Sequence, residues 1–496
     1  MDAIVTCVQM ALEPQNLLIV VAGTVLGIVC GAIPGLTATM SIALVLPITF
    51  VLPANLGMAA ILAIYVGATY GGSISAILLN IPGTPASMMT GIDGHAMARK
   101  GQAGTALGAA TIASFIGGVL SGLVLIFVAP LLGSVALLFG PAEFFAVGVF
   151  SLSLIAGISG GNVYKGLAAG LIGISFNLVG SDPVTGVARY AFGNVSMTGG
   201  LTLVPMLVGL FGFREVLKTV EDVHLKYEII QQVHRILPSK QQLLRMLPTT
   251  LRGGIIGTFV GILPGAGGPI ASFVAYDAEK RVSDKEKTFG TGDIRGVAAS
   301  ESANNGVNGG ALVPLLTLGV PGDGATAVML GAFMMNNITP GPMLFVNHAE
   351  LVHSIYANYM LACVMMLVIG LLAARLFMKV IKIPQRVLIP VITILCFVGA
   401  YSVKRSVFDV GTMIFMGILG YVLDKRGFPV IATVLGAVLG NLIEVNYRSA
   451  LQLGNGSPLF IFTKPIAVGL LLVTAVTLLW PLIRKKLSAG NARAVK

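Results

Sequence analysis

The segment ASESANNGVNGG, residues 299–310, places Glu301, Ser302, Asn304, Asn305 and Asn308 inside a chain that is otherwise strongly apolar. Glu301, Asn304, Asn305 and Asn308 stand at i, i+3, i+4 and i+7, so a helix would carry all four on one face. A carboxylate among amides and backbone carbonyls is a hard-oxygen environment suited to Na+ or a proton. Polar groups at membrane depth are costly and usually line a pathway. Asp323, in GVPGDGAT, starts the next segment, where it either caps a helix or joins the cation set.

A second kind of chemistry lies in the backbone. Pro-Gly pairs interrupt apolar runs at Pro34-Gly35, Pro82-Gly83, Pro264-Gly265 and Pro321-Gly322. A helix that starts at such a break offers free N–H groups and a partial positive charge, which suits an anion. Its neighbouring carbonyls suit a cation. Small hydroxyl or amide residues flank the breaks, Thr37, Thr39, Asn80, Thr84, Thr258, Ser272, Thr317 and Thr326, and Ala266 and Gly267 follow Pro264-Gly265 in the expected substrate site. The same small residues could simply let helices pack closely, but breaks at matched places favour a binding site. Two weaker polar islands hold Asp182, Thr185 and Arg189, and then Glu444, Asn446 and Arg448. They read first as loops, with Arg189 a cation available to a bound carboxylate. His348, Glu350 and His353 read as a solvated loop.

Long apolar stretches must position these residues. The 496-residue chain is 55% hydrophobic and 10% charged, with mean hydropathy +0.91. Soluble domains carry about 25% charged residues. Runs such as Leu17–Ile33, Ala103–Leu132, Ala136–Ile158 and Leu351–Ile381 imply an all-α polytopic membrane protein with about 11 to 14 crossing or re-entrant segments. They lack the alternation of a membrane barrel. The net charge of +11 fits basic cytoplasmic loops better than nucleic-acid binding. Cys7, Cys30, Cys363 and Cys396 stand singly and read as packing residues. No Lys or Arg precedes the first apolar run, so no cleaved signal peptide is expected. No phosphate-loop or H-E-x-x-H motif occurs, which leaves ATP-driven transport and zinc hydrolysis without support. No cofactor is expected beyond a coupling Na+ or H+.

The chain repeats itself. GTVLGIVCGAIPG (23–35) aligns with GGIIGTFVGILPG (253–265), and YGGSISAILLNIPG with NGGALVPLLTLGVPG, in the same order. Charges flanking matched blocks are reversed: Lys280, Arg281, Lys285, Lys287 and Arg295 follow the first block of the second half only, whereas Arg99 and Lys100 follow the second block of the first half only. Equivalent loops then lie on opposite sides of the membrane. The expected organisation is an inverted repeat at 1–213, a charged cytoplasmic connector at 214–252, the second repeat at 253–485, and a basic cytoplasmic tail at 486–496.

The blocks GAIPGLTATMSIALVLPITF, YGGSISAILLNIPGTPAS, GILPGAGGPIASF and ASESANNGVNGGALVPLLTLGVPGDGATAVMLGAF resemble the large membrane subunit of bacterial tripartite tricarboxylate transporters, the TctA type. The resemblance spans essentially the whole chain. It implies an ion-coupled secondary transporter of citrate-like carboxylates in the inner membrane, with an elevator-like fold of inverted repeats. It also implies two partners, a small four-helix membrane subunit and a periplasmic substrate-binding protein. The Pro-Gly pairs and the Glu301–Asn308 stretch become the expected transport core, and no enzyme activity is implied. The rivals are an intramembrane enzyme acting on a lipid-linked substrate, for which no nucleophile–base set is evident, and a membrane scaffold.

Overall fold

Pro14 opens the first long helix, α1 (Pro14–Ala32), where its missing N–H was unpaired in any case. The computed structural model describes residues 9, 11–49, 51–158, 162–221, 235–284, 286–374, 376–377 and 385–494. At Ile33 the chain leaves the helix with φ −85° and ψ 120°, and Gly35 follows at φ +93°, a conformation that favours glycine. Then come α2 (Ala38–Thr49) and α3 (Ala54–Leu79). Asn80, left-handed at φ 57°, ends α3. Beyond Pro82-Gly83 a short turn of 3-10 helix (Pro85–Ser87) leads into α4 (Met88–Met97) and the long α5 (Ala103–Ala136).

α6 (Pro141–Ile158) and α7 (Val163–Phe176) precede a small antiparallel ribbon, β1 (Gly180–Ser181) with β2 (Ala188–Arg189). Short helices α8 (Val195–Thr198) and α9 (Leu203–Leu207) run through a π-helical stretch into α10 (Arg214–Glu221). α11 (Lys240–Ile262) starts at Ser239 in a capping box with Gln242. The domain boundary expected between 252 and 253 therefore falls inside one continuous helix, and the expected connector is partly built into α10 and α11.

α11 ends as α1 does. Leu263 leaves the helix at φ −81° and ψ 118°, and Gly265 is at φ +80°. α12 (Gly267–Ser283), α13 (Ile294–Leu318) and α14 (Gly324–Met335) follow, with α13 closed by Gly319 at φ +70°. α15 (Pro342–Asn347), α16 (Ala349–Leu372), α17 (Gln385–Lys404), α18 (Val407–Lys425), α19 (Val430–Leu453) and α20 (Pro465–Ala494) complete the chain.

The aligned glycines make matching contacts. On α1, a Cβ on Gly27 would lie 2.5 Å from Ile64 O, and one on Gly31 would lie 2.2 Å from Ala68 O, both on α3. On α11, a Cβ on Gly257 would lie 2.1 Å from Ala303 O, and one on Gly261 would lie 2.6 Å from Val307 O, both on α13. The Pro-Gly glycines close the pattern: Gly83 abuts Gly31 O, and Gly322 abuts Gly261 O. Stripped of side chains on the facing surfaces, each helix pair packs backbone to backbone. The outer faces are apolar. Leu251, Ile255 and Phe259 are exposed on α11 opposite its buried glycines, as expected of a surface whose solvent is lipid. Among the described residues, seven helices are long and apolar enough to cross a membrane, and five shorter apolar helices accompany them. The chain is thus an all-α, multi-pass membrane protein.

Candidate functional site

The starts of α2, α12 and α14, together with the turn that leads into α4, converge on one cavity of about 500 Å³. Thr37 and Thr39 line it from the first break, Thr84 and Ala86 from the second, Gly265, Ala266 and Gly267 from the third, and Asp323 and Gly324 from the fourth. Breaks far apart in sequence are joined directly: the Gly265 N–H donates to Gly322 O at 2.7 Å. Pro34, Gly35, Asn80, Pro82, Gly83, Pro264, Pro321 and Gly322 are not among the lining residues. They shape the turns that aim the following helices. A helix start is a region of positive potential of about half a charge, so the convergence favours an anion.

Two of the starts are capped from their own side chains. Thr37 Oγ1 accepts from Met40 N at 3.2 Å. Asp323 Oδ1 accepts from Thr326 N at 2.8 Å, and Tyr65 of α3 donates to Asp323 Oδ2 at 2.6 Å. Asp323 is therefore the cap of α14. α13 contributes Asn304 and Asn308 to the cavity, facing Tyr65 and Thr69 of α3. Asn304 Nδ2 donates to Thr69 O at 3.2 Å. The Thr69 hydroxyl lies 2.9 Å from Tyr65 O and 3.2 Å from Asn308 Oδ1. One proton cannot serve both acceptors, so a turned amide, giving Nδ2 to Thr69 and baring Oδ1, fits equally well. Either way one end of Asn308 is left for a ligand.

Two cations missing from the sequence-based site belong to it. Arg214 and Lys218, one turn apart on α10, line the cavity. Arg214 pairs with Glu215 at 3.0 Å, and Lys218 approaches Asp424 at 3.5 Å. Three side-chain atoms on cavity residues are buried without a hydrogen-bond partner: Thr84 Oγ1, Asn308 Nδ2 and Arg214 Nε. Buried polar groups are nearly always paired, and each of these three can donate.

The expected polar face of α13 divides. Glu301 and Asn305 turn to α4 and α5, not to the cavity: Thr90 Oγ1 lies 2.5 Å from Glu301 Oε1, Ser114 Oγ lies 3.0 Å from Oε2, and Asn305 Nδ2 donates to Ser114 Oγ at 2.8 Å. A stripe at i, i+3, i+4 and i+7 is wide enough to straddle two neighbouring helices. Ser302 returns its hydroxyl to Ala298 O at 2.7 Å, and its backbone packs on Gly117. Arg189 is also elsewhere. It grips Glu444 with contacts of 2.6 and 3.2 Å, while Arg448 holds Asp182 at 2.7 Å. The two polar islands thus lock together and tie the β-ribbon to α19. The Thr185 and Val184 N–H groups, with Arg448, hold the Asp182 carboxyl well below the usual carboxylate range, against the opposing pull of burial. No group of three or more metal-ligating side chains occurs among the described residues.

Sequence reasoning passed over Tyr65 and Thr69 because an i, i+4 polar pair is unremarkable in an apolar helix. Arg214 and Lys218 were absorbed by a charged tract whose sign pattern resembles any cytoplasmic loop. The signal available was position: both follow directly on an apolar run, where a cation is costly unless it faces a cavity.

Residues 17–435 match the family described as "Tripartite tricarboxylate transporter TctA family". A relative from Agrobacterium vitis, the "uncharacterized 52.8 kDa protein in TAR-I ttuC' 3'region", is 38% identical over 481 residues, covering 96% of each chain. A second from the same organism, the "uncharacterized protein in TAR-II ttuC' 3'region", is 40% identical over 233 residues, or 46% of this chain and 96% of that one. No solved structure matches.

Proposed function

The chain belongs to the tripartite tricarboxylate transporter TctA family, and from that premise we propose that the cavity is the carboxylate site of an ion-coupled secondary transporter of the inner membrane. The observation that carries this reading is the set of partnerless buried groups on Thr84, Asn308 and Arg214, gathered where three helix starts and the Thr84–Ala86 turn meet. A carboxylate supplies the missing acceptors, and the helix starts and Arg214 meet its charge. Arg189 has no part in binding. Asn304 and Asn308 form a wall shared by substrate and a coupling cation. Two features support an inverted repeat: matched glycine contacts and reversed loop charges. Movement of the broken helices against the remaining bundle then alternates access, with the α10 end and the tail in the cytoplasm.

The partners in this reading are a small four-helix membrane subunit and a periplasmic binding protein that delivers the substrate. For an enzyme reading, the described residues lining the cavity include no Ser, Cys or His, and a scaffold would not need partnerless buried donors. The test is uptake of labelled di- and tricarboxylates, citrate first, by the complete complex in proteoliposomes, with and without Na+ and pH gradients. Binding-protein-dependent uptake that R214Q and N308A reduce about 10-fold or more is expected. Absence of uptake for every carboxylate, or wild-type uptake by both variants, refutes the proposal.

A further inference from the structure

A second polar cluster, none of whose residues lines the cavity, surrounds Glu301. Glu301 is fully buried, and so are Thr90, Ser114, Ser300 and Asn305 around it. No Lys, Arg or His is bonded to Glu301, whose partners are hydroxyls: Thr90 Oγ1 at 2.5 Å and Ser114 Oγ at 3.0 Å. An isolated buried carboxylate is costly unless it is paired or carries a proton. We propose that Glu301 is the group that carries a coupling proton, in a polar cluster apart from the residues that line the substrate cavity. The inference rests on the transport reading and deepens it by adding a proton carrier to the cation that the Asn304–Asn308 wall can hold.

The hydrogen bonds can be completed in both protonation states. Thr90 Oγ1 also lies 2.9 Å from Ser300 Oγ, and Ser300 Oγ lies 2.9 Å from Gly296 O. With Glu301 ionised, Thr90 and Ser114 donate to its two oxygens and Ser300 donates to Thr90 Oγ1. With Glu301 protonated, its O–H donates to Thr90 Oγ1, Thr90 donates to Ser300 Oγ, and Ser300 turns to donate to Gly296 O. Hydroxyls reverse in this way without moving heavy atoms. Asn305 Nδ2 donates to Ser114 Oγ at 2.8 Å, which directs the Ser114 proton to Glu301. Asn305 Oδ1 is buried with no partner, so an acceptor stands bare on the neighbouring residue of the cluster, where a water bringing the proton would dock. The oxygens already sit at hydrogen-bond distance from one another.

The titratable groups packed around the cluster are engaged elsewhere. Tyr70 of α3 bonds Thr111 of α5 at 2.8 Å. Asp93 of α4 accepts from the N–H groups of Gly290, Gly292 and Asp293 and from Tyr276 of α12. Glu279 of α12 is held by Arg252 and Thr249 of α11, and Tyr359 of α16 by Ser121. α5 presents only hydroxyls to Glu301. Substrate and proton share one moving part: the turn at Thr84–Ala86 lines the cavity, and Thr90 stands on the helix that follows it. Closure of that turn on a carboxylate shifts Thr90 against Glu301. The step balances simply. A proton from hydronium on one side forms the Glu301 O–H bond, and the same proton returns to water on the other.

The test uses the complete complex in proteoliposomes, with labelled citrate as the probe. E301Q, a fixed mimic of the protonated acid, should lose pH-gradient-driven accumulation about 10-fold or more while citrate exchange between preloaded vesicles and medium stays within about 2-fold. E301Q that still accumulates citrate against a pH gradient overturns the proposal, as does loss of exchange along with accumulation in a folded variant. Should E301Q not fold, T90V keeps the carboxyl and breaks the hydroxyl chain. Its accumulation should then depend on pH differently from wild type, and an unchanged profile overturns the proposal. Wild-type citrate uptake that follows a Na+ gradient and ignores pH sinks the proton inference alone. Failure of the wild type to take up any carboxylate sinks the transport reading beneath it.

Discussion

Replacing Gly257 by alanine tests the packing that builds the cavity. The added Cβ would sit 2.1 Å from Ala303 O, 2.6 Å from Ala303 Cα and 2.7 Å from Ala303 C, all of them backbone atoms that no rotamer change can clear. Ordinary contact begins at 3.4 Å, so α11 and α13 must part by about 1 Å locally, at an overpacking cost of about 1–3 kcal/mol. The gain in helix propensity, about 1 kcal/mol at most, offsets part of this. Asn304, the next residue after Ala303, lines the cavity, and a displacement of about 1 Å at a binding site can cost about 100-fold in rate. G257A should therefore lower the thermal midpoint of the detergent-solubilised complex and cut carboxylate uptake by about 10- to 100-fold. G27A, whose Cβ would meet Ile64 O at 2.5 Å, should behave in the same way. The control is G411A on α18, where nothing lies within 4 Å and stability should hold or rise slightly. If G257A and G411A are indistinguishable in both assays, backbone-to-backbone packing of the glycine faces is not what holds the breaks in place.

Further outcomes follow from particular contacts. D323A removes the α14 cap and the acceptor of Tyr65, and should cost about 0.5–2 kcal/mol of stability as well as uptake. Y65F should retain the cap and most of the stability. R189A should leave the KM for carboxylate unchanged while lowering the Tm, because Arg189 serves the ribbon and not the cavity; a raised KM with unaltered Tm contradicts this. The Asp182 carboxyl is depressed when folded, so its contribution is complete above the unfolded value of about 3.9 and is lost as pH falls through the lower folded value. D182N should flatten that acid limb in a denaturation series.

Much of this was legible in the sequence, for physical reasons. Gly-Pro punctuation in hydrocarbon is expensive unless the freed backbone groups face a cavity, so the breaks announced themselves, and all four supply lining residues at the Pro-Gly motif or just beyond it. Comparison of the two halves located the glycine faces, because a backbone-to-backbone contact admits no other residue at Gly31 or Gly261. The division of the polar stripe on α13 was hidden. Helical periodicity tells which residues share a face but not how many neighbours that face meets, and Glu301 and Asn305 lie just far enough round to reach α5. The Arg189 contact was hidden for another reason: its partner, Glu444, lies in an island more than two hundred residues away, and a charge pair at such separation leaves no local pattern. Arg214 and Lys218 failed to stand out because composition cannot distinguish a lysine in water from one bordering a cavity.

The charges of the cavity argue for a co-bound cation. Its lining holds two cationic side chains, Arg214 and Lys218, and two carboxylates, Asp323 and Asp424, so the formal side-chain charge cancels. What remains is the potential of the three helix starts, about half a charge each, or about one and a half positive charges at most, less what Asp323 already uses as a cap. A citrate-like trianion brings three negative charges. The shortfall is about one and a half charges or more, and in a partly desolvated site an unmatched charge is costly. A single monovalent cation bound with the substrate makes up much of it, and Asn308, able to present Oδ1 to a cation once its amide is turned toward Thr69, is placed to hold that cation. Protonation of the substrate itself would serve equally well. Carboxylate affinity of the detergent-solubilised complex should therefore strengthen with Na+ concentration or with acidity, and a dicarboxylate should show the weaker dependence. Citrate affinity that is constant across both titrations would show that the helix starts suffice, and would remove the need for any cation at Asn308.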